Sequence, residues 1–503
     1  MNIGLLLDMA AQACAERTAV GSRGSGATFE TLHGDALAVA ASIAARGADR
    51  LVLAAESSEH SPALLFGAAY AGVPFCSVNY RLADDRLRSV LARTAPALVV
   101  VDGGTAERVR AVPGLSVVTA AELVHEPAAD GGPAAAGDPA DPAGDSVAIT
   151  LFTSGTTGEP KSVLLRHRNL FSYIVGTVEL AAAGEDEAAL VSVPPYHIAG
   201  LAAILSNVYL GRRIVYLPQF DPAAWVESAA RERVTHAMIV PTMLGRILDV
   251  VEAGDADLGA LRHLSYGGGR MPIATIERAM RLLPGVDFVN AYGLTETSST
   301  VALLTPQDHR DALAGDDPAV AARLGSVGRA TPGVQVEVRD ADGAVLPAGE
   351  IGEIHVRGEQ VAGEYEGRLA LDADGWFATN DLGRLDEAGF LFLEGRADDV
   401  IVRGGENLSP GEIEDVLLTH PAVAEAAVIG VPDEEWGESP AAFVVLEPGR
   451  TADADELRAW VRGQLRSSRM PSLVVEREAL PYSETGKLLR RVLRAEAAAP
   501  TSR

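Results

Sequence analysis

The most informative segment of the 503-residue chain reads Thr153-Ser154-Gly155-Thr156-Thr157-Gly158-Glu159-Pro160-Lys161-Ser162. Its glycines let the backbone turn N–H groups inward, its hydroxyls add further donors, and Lys161 adds a compact positive charge. Together these groups predict a cradle for a polyphosphate. The spacing Gly-x-x-Gly-x-x-Lys-Ser differs from that of a Walker A loop, so the cradle is of another kind.

The sequence on both sides of this segment predicts alternating strands and helices. Residues 146–152 form a short apolar run that is typical of a buried strand. Further on, helical patterns such as residues 223–234 alternate with strand-like runs, which favours layered α/β sheets. From about residue 325 short runs separated by Gly and Asp indicate antiparallel strands, and a small α/β unit follows Asp398. Residues 126–144, rich in Pro, Gly and Ala, are predicted to be a surface loop or linker.

Composition excludes several classes of function. The formal charge of -27 opposes binding to nucleic acid or to an anionic membrane through a general field, so an anionic ligand has to be held by local groups. The two cysteines cannot make a disulfide framework and suit a reducing compartment. The start of the chain lacks a basic n-region, and the longest uncharged stretch, residues 62–78, falls short of the roughly 20 apolar residues of a membrane span. We therefore expect a cytoplasmic protein without a membrane span.

Lysine is almost absent from the chain. Only two of the 42 basic residues are Lys, at Lys161 and Lys487, and all the others are Arg. Such a chain is expected to retain Lys where a compact ammonium is needed and a guanidinium fork would not fit.

The segment 153–162 resembles the phosphate-binding signature of the adenylate-forming superfamily, which contains acyl-CoA synthetases, peptide-synthetase adenylation domains and luciferases. Further motifs follow in the order of that family, so the resemblance spans about residues 25 to 495. It implies a large N-terminal domain, residues 1–396, of layered α/β sheets with a small distorted β-barrel. A small mobile C-terminal α+β domain, residues 397–503, would follow a hinge at Asp398.

The resemblance also implies roles for individual residues. Tyr292 can stack on a purine, Thr295 can donate to the α-phosphate, and Glu296 supplies the hard oxygen that Mg²⁺ prefers. Lys487 matches the adenylation lysine, whose charge stabilises the developing negative charge of the transition state. The residues assigned to ATP or AMP are Thr153, Ser154, Gly155, Thr156, Thr157, Gly158, Lys161, Gly268, Asn290, Ala291, Tyr292, Gly293, Asp381 and Arg396.

Within that set, Asp381 would take the ribose hydroxyls and Arg396 would contact the ribose or a phosphate. Asn380 stands where the family commonly has Gly, a departure that a left-handed turn tolerates. On the CoA side, the residues expected to approach the pantetheine arm are Arg403, Gly404 and Gly405.

The segments that bear on the acid are similar to the family's acyl pocket. The pocket residues are Tyr196, His197, Gly267 and Gly269. His197 is either a gate of the pocket or a structural histidine. Arg270 occupies a position where the family pattern has a small or apolar residue, and it could face solvent or meet a polar group of the acid.

The resemblance implies an ATP-dependent acyl-CoA synthetase with ATP, Mg²⁺ and CoA as its small-molecule partners. A carboxylic acid would be activated as acyl-AMP and then transferred to CoA. The alternative is an acyl-AMP ligase that loads a separate carrier protein, whereas a degenerate, non-enzymatic nucleotide-binding protein would be expected to have lost Lys487 or Glu296, and both are present. The pocket segments are small and aliphatic, which favours a hydrophobic acid and leaves fatty, alicyclic, terpenoid or steroid, and aryl acids open. A homodimer is compatible with the sequence.

Overall fold

The structure is a computed structural model that describes residues 1–125, 143–153, 160–254, 257–404, 406–433, 435–482 and 488–498. Most of the predicted linker at 126–144 lies outside these residues. Among the described helices, none is both long and apolar enough to cross a bilayer.

The strands are β1 (Thr18–Val20), β2 (Ala27–Thr28), β3 (Leu51–Ala54), β4 (Phe75–Ser77), β5 (Ala97–Val101), β6 (Leu115–Val118), β7 (Val147–Thr153), β8 (Lys161–Arg166), β9 (Ala188–Val191), β10 (Arg213–Tyr216), β11 (His236–Ile239), β12 (His263–Gly267), β13 (Asp287–Leu294), β14 (Ser299–Leu304), β15 (Arg329–Ala330), β16 (Gln335–Arg339), β17 (Gly352–Arg357), β18 (Glu364–Tyr365), β19 (Arg368–Leu369), β20 (Phe377–Leu385), β21 (Leu391–Arg396), β22 (Ile401–Arg403), β23 (Glu406–Leu408), β24 (Val423–Asp433), β25 (Gly437–Leu446) and β26 (Leu473–Glu476).

The helices are α1 (Gly4–Cys14), α2 (Phe29–Ala45), α3 (Ser61–Tyr70), α4 (Asp84–Ala92), α5 (Gly103–Val109), α6 (Ala120–His125), α7 (His167–Thr177), α8 (Ile198–Leu210), α9 (Pro222–Arg231), α10 (Pro241–Ala253), α11 (Ile273–Leu282), α12 (Pro306–Ala314), α13 (Pro318–Ala322), α14 (Pro410–Leu418), α15 (Ala454–Gln464) and α16 (Arg490–Ala498).

Two large sheets form the body of the molecule. The nine-stranded sheet has the order β15, β14, β13, β12, β11, β9, β10, β1, β2, and its central strands from β13 to β1 are parallel. The eight-stranded sheet has the order β19, β18, β8, β7, β4, β3, β5, β6 and is parallel from β7 to β6. Central strands such as β5, with sequence ALVVV, are buried along their whole length, as strands covered on both faces must be.

Helices cover both faces of both sheets. The largest apolar core contains strands of both sheets together with α1, α2, α3, α7 and α8, so these helices lie between the sheets. Helix α3 is buried along its whole length, which explains why it is apolar all round. Helices α9, α10 and α11 cover the outer face of the nine-stranded sheet, and α4 and α5 cover that of the eight-stranded sheet. The predicted layered α/β architecture is confirmed.

Two smaller sheets follow. Where the sequence predicts a small distorted β-barrel, the described strands form a four-stranded antiparallel sheet in the order β16, β17, β20, β21. The last sheet contains β23, β22, β25 and β24, with β26 parallel to β25. Helices α14 and α15 pack on one face of it and α16 on the other, which makes an α+β unit of the chain after Asp398. The predicted domain boundary at 396/397 stays a prediction.

A buried histidine ties the start of the chain to α7. His167 is 1% exposed, and its Nδ1 accepts a hydrogen bond of 3.2 Å from the backbone N–H of Ile3, so the ring is neutral. Burial lowers the pKa of His167 from 6.5 to about 4. Between these two pH values the unfolded chain binds the extra proton and the folded chain does not, so stability falls as the pH falls.

We expect His167→Asn to reduce this loss of stability in acid, because Asn supplies an acceptor in a similar place but does not titrate. Urea unfolding of the wild type should lose about 2 kcal/mol more than the variant between pH 7 and pH 5. Equal losses in the two proteins would mean that the ring is already protonated in the fold, which would contradict the neutral assignment.

Candidate functional site

The predicted phosphate loop connects two antiparallel neighbours. Strands β7 and β8 pair so that Thr153 lies opposite Lys161, and the loop therefore closes a hairpin. Thr153 and Lys161 stand at its two ends. The predicted cradle residues between them, Ser154, Gly155, Thr156, Thr157 and Gly158, lie outside the described residues.

Arg93, which sequence analysis did not select, anchors the far end of this loop. It follows α4, and its guanidinium donates to the carbonyl of Pro160 at 2.7 Å and to the Ser162 hydroxyl at 2.9 Å. Because Arg93 is one of many arginines and lies far from the loop in sequence, no local pattern could have identified it.

The segment after β13 is fixed by its own polar groups. A 3-10 turn, Thr295–Thr297, follows the strand directly. The hydroxyl of the fully buried Thr297 accepts from the backbone N–H of Leu294 at 3.0 Å and closes the turn. A side chain at Gly293 would overlap the backbone of Ser299, so the close pairing of β13 and β14 requires glycine here. The predicted catalytic residues Thr295 and Glu296 therefore lie on a turn closed by hydrogen bonds of Thr297.

Tyr365, also missed in the sequence, connects this turn with the phosphate loop. Its hydroxyl donates to Glu296 Oε1 at 2.8 Å, and the Lys161 ammonium lies 5.7 Å from the centre of its ring. The predicted metal carboxylate and the predicted phosphate lysine therefore flank one aromatic side chain.

The residues predicted for the nucleoside form a second cluster. Tyr292 is buried, and its hydroxyl donates to Asp381 Oδ2 at 2.7 Å. Arg396 lies opposite Asp381 on the neighbouring strand, with Nη1 3.4 Å from Oδ1. Burial, followed by the charge of Asp381, raises the pKa of Tyr292 well above its ordinary value, so its hydroxyl remains a donor at neutral pH.

Three residues that precede Tyr292 or Asp381 in the sequence have recognisable structural features. Asn290 donates from its side-chain amide to the carbonyl of Ser326 at 3.1 Å, and Ala291 lies beside Gly267 in the sheet. Asn380 has a φ of 62°, a left-handed conformation that Asn tolerates.

Close packing and backbone conformation explain two of the glycines at the end of β12. A side chain at Gly267 would overlap the carbonyl of Ala291 on the neighbouring strand. Gly268 has a φ of 77°, which favours glycine, whereas Gly269 has ordinary space around it, bounded by Pro241 at 3.8 Å. The roles of these glycines toward nucleotide and acid stay predictions.

Tyr196 and His197 lie between β9 and α8, at the carboxyl edge of the parallel strands. The Tyr196 ring is buried, meets the Tyr80 ring edge-on at 6.0 Å and lies 5.0 Å from the His197 ring. His197 is the residue before α8 begins. The carboxyl edge of a parallel sheet is where α/β folds place ligands, and the role of this aromatic group toward the acid stays a prediction.

The Arg270 side chain is exposed to solvent, which is one of the two placements considered from the sequence. Its guanidinium forms an ion pair with Asp415 of α14. A side chain at Gly411, also in α14, would overlap this guanidinium. The loop after β12 is thereby connected to the C-terminal unit.

The predicted hinge residue, Asp398, accepts hydrogen bonds from residues on both sides of the predicted domain boundary. Asp398 accepts from the Asn380 side chain at 2.9 Å, and its carbonyl accepts from Arg494 of α16 at 3.2 Å. Arg494 also pairs with Asp399 at 2.9 Å.

One glycine of the predicted CoA-side loop has a left-handed backbone conformation. Gly404 has a φ of 57°, and its N–H donates to the carbonyl of Trp436 at 2.7 Å. Arg403 lies over the Trp436 ring, 5.6 Å from its centre. Gly405 and the predicted catalytic Lys487 lie outside the described residues.

Two family models match the chain. The model described as AMP-binding enzyme matches residues 7–366, and the model of the AMP-binding enzyme C-terminal domain matches residues 412–487.

Curated relatives include two kinds of acid–thiol ligase. A fatty acid–acyl-carrier-protein ligase of Streptomyces coeruleorubidus is 34% identical over 93% of this chain and 91% of its own length. A feruloyl-CoA synthase of an Amycolatopsis species is 35% identical over 85% of this chain and 84% of its own.

Among solved structures, the o-succinylbenzoate CoA synthetase of Bacillus subtilis in complex with its acyl-adenylate superposes with a TM-score of 0.82. It is 28% identical and covers 97% of both chains. The same enzyme in complex with ATP and magnesium gives a TM-score of 0.81, with 28% identity over 97% of this chain and 98% of that one.

We expect Asp381→Asn to remove discrimination between ATP and 2′,3′-dideoxy-ATP. The wild type should bind ATP about tenfold or more tightly than the dideoxy analogue, because hydrogen bonds to a charged acceptor contribute about 1.5–3 kcal/mol. Isothermal titration calorimetry gives both affinities, with the exposed Asp316→Asn as a control that keeps the preference. An undiminished preference in Asp381→Asn would show that other groups take the ribose hydroxyls.

Proposed function

Because the chain belongs to the family of AMP-binding enzymes, the adenylate-forming superfamily, we propose that it activates a hydrophobic carboxylic acid as acyl-AMP and transfers the acyl group to CoA. The family membership confirms the sequence-based prediction of an adenylate-forming enzyme. The acid, the thiol acceptor and the residue roles belong to the proposal.

The observation that carries the proposal is the spacing of two clusters along one segment, β13 and the turn that follows it. Tyr292, with Asp381 and Arg396, is suited to the nucleoside, and Glu296, four residues later, lies with Tyr365 beside Lys161 at the end of the phosphate loop. A nucleotide whose ribose contacts the first cluster would therefore extend its phosphates toward the second.

The side chains present fit a magnesium–nucleotide complex. Mg²⁺ is usually held by one or two carboxylates together with phosphate oxygens and water, and Glu296 supplies such a carboxylate. When bound, Mg²⁺ neutralises charge on the phosphates.

The first half-reaction needs positioning and charge neutralisation from the protein. An oxygen of the acid attacks the α-phosphorus, the bond from that phosphorus to the bridging β-phosphate oxygen breaks, and pyrophosphate leaves. Thr295 would donate to the α-phosphate, while Lys161 and Lys487 would supply positive charge where negative charge develops.

In the second half-reaction the thiol of CoA attacks the acyl carbon and AMP leaves. We propose that the C-terminal unit first rotates about Asp398, removing Lys487 and bringing the loop at Gly404 to the site. Such a rotation would break the ion pair between Arg270 and Asp415 and the bond between Asn380 and Asp398.

Loading of a carrier protein is the second candidate. It is favoured by the similarity to the acyl-carrier-protein ligase of S. coeruleorubidus, which extends over nearly the whole chain. The feruloyl-CoA synthase and the CoA synthetase of B. subtilis, on the other hand, support CoA as the acceptor.

Incubation of the enzyme with MgATP, CoA and pooled fatty, aryl, alicyclic and terpenoid acids should yield an acyl-CoA, AMP and pyrophosphate. Mass spectrometry identifies the thioester and the class of acid together. Formation of acyl-AMP without acyl-CoA would indicate that the acceptor is a carrier protein and not CoA. The absence of both products would contradict the proposal for these acid classes.

We expect Lys487→Ala and Asp398→Pro to fail in opposite half-reactions. Lys487→Ala should lower acid-dependent pyrophosphate release by about 100-fold or more, the effect of one electrostatic contact to a transition state, and spare thioester formation from supplied acyl-AMP. Asp398→Pro stiffens the backbone at the hinge. It should spare acid-dependent pyrophosphate release and impair thioester formation.

Asp398→Ala is the matched control, since it also loses the contact with Asn380 but leaves the backbone free. It should retain both half-reactions. Equal loss of both half-reactions in Lys487→Ala, or unchanged thioester formation in Asp398→Pro, would contradict the two-conformation assignment.

A further inference from the structure

Tyr365 contacts two predicted ATP-handling residues that are distant in sequence. Its hydroxyl donates to Glu296 Oε1 at 2.8 Å, and its ring centre lies 5.7 Å from Lys161 Nζ. The three residues come from β18, the turn after β13, and the first position of β8. One side chain therefore joins the carboxylate proposed for the metal to the end of the phosphate loop.

The strand that carries Tyr365 is itself anchored. Strand β18 pairs with β8, and Glu364 accepts two hydrogen bonds of 2.7 Å from the Arg166 guanidinium. On the other side of Tyr365, Glu366 accepts from the Ser162 hydroxyl at 3.0 Å. Because both neighbours are bonded to β8, Tyr365 is held beside that strand and its first residue, Lys161.

The same segment also holds the backbone of Glu296. The N–H groups of Ala362 and Gly363 donate to the Glu296 carbonyl at 2.9 and 3.0 Å. The backbone of Glu296 is thus fixed independently of Tyr365, and the hydroxyl of Tyr365 acts on the carboxylate alone. Removal of the hydroxyl should change the orientation of that carboxylate and leave the turn in place.

We propose that Tyr365 is a positioning residue that orients the Glu296 carboxylate for the metal–nucleotide complex. A carboxylate has two oxygens, so one can accept from the hydroxyl while the other coordinates a metal ion. This inference rests on the proposed function. To that function the inference adds Tyr365 as the residue that holds the Glu296 carboxylate beside Lys161.

Two variants separate this role from simple packing. Tyr365→Phe removes the hydroxyl but keeps the ring beside Lys161. Tyr70→Phe is the matched control, because the Tyr70 hydroxyl donates to Asp8 at 2.6 Å and so makes a comparable tyrosine–carboxylate bond between α3 and α1, away from the site.

The experiment measures binding of Mn²⁺, as a paramagnetic substitute for Mg²⁺, to each protein in the presence of ATP by electron paramagnetic resonance. Calorimetry with EDTA present gives the affinity for metal-free ATP. Tyr365→Phe should weaken Mn²⁺ binding by about 10- to 100-fold, the usual effect of losing a group that orients a metal ligand, and leave metal-free ATP binding nearly unchanged. Tyr70→Phe should match the wild type in both measurements. In turnover, a high Mg²⁺ concentration should restore the kcat of Tyr365→Phe.

Unchanged Mn²⁺ binding in Tyr365→Phe would overturn the inference while the proposed function stands. An equal loss of metal-free ATP binding would also overturn it, because the hydroxyl would then support the site as a whole. If the wild type itself bound no Mn²⁺ with ATP, the proposed function and this inference would both fall.

Discussion

The packing of the four-stranded antiparallel sheet against β13 and β14 is the contact on which the site depends. Tyr292, Val301 and Ala302 of the nine-stranded sheet share a buried apolar cluster with Ile354 and Phe377 of the smaller sheet. This cluster sets the distance between β13 and β20, and so allows the Tyr292 hydroxyl to reach Asp381. The chain that returns from the smaller sheet's second strand, β17, then supplies Tyr365 to the turn after β13.

Electrostatics impose the second constraint. A chain with a formal charge of -27 has to hold an anionic ligand with local cations, and three cations among the described residues each have a specific neighbour. Lys161 lies beside the Tyr365 ring, Arg396 beside Asp381, and Arg93 is bonded to the backbone at Pro160. Arg270, which instead pairs with Asp415, serves the connection between the two parts of the chain.

Local patterns in the sequence predicted elements and motifs well. The strand expected at 146–152 is observed as Val147–Thr153, and the helical pattern at residues 223–234 is observed as α9, Pro222–Arg231. These features depend on neighbouring residues, which a sequence displays directly. The contacts of Arg93, Arg270 and Tyr365 depend on segments that lie far apart in the chain, and an isolated arginine or tyrosine looks the same whether it orients a ligand or faces solvent. The residues that bring the motifs together therefore emerged only from the fold.

The central claim is that an oxygen of the acid becomes bonded to the α-phosphorus of ATP in this site. It is tested most directly with an acid labelled with ¹⁸O in its carboxylate, followed by mass spectrometry of the released AMP. The account predicts one ¹⁸O atom in AMP, because thiol attack on the acyl carbon leaves the bridging oxygen on phosphorus. Unlabelled AMP, or label in released inorganic phosphate, would contradict an acyl-adenylate.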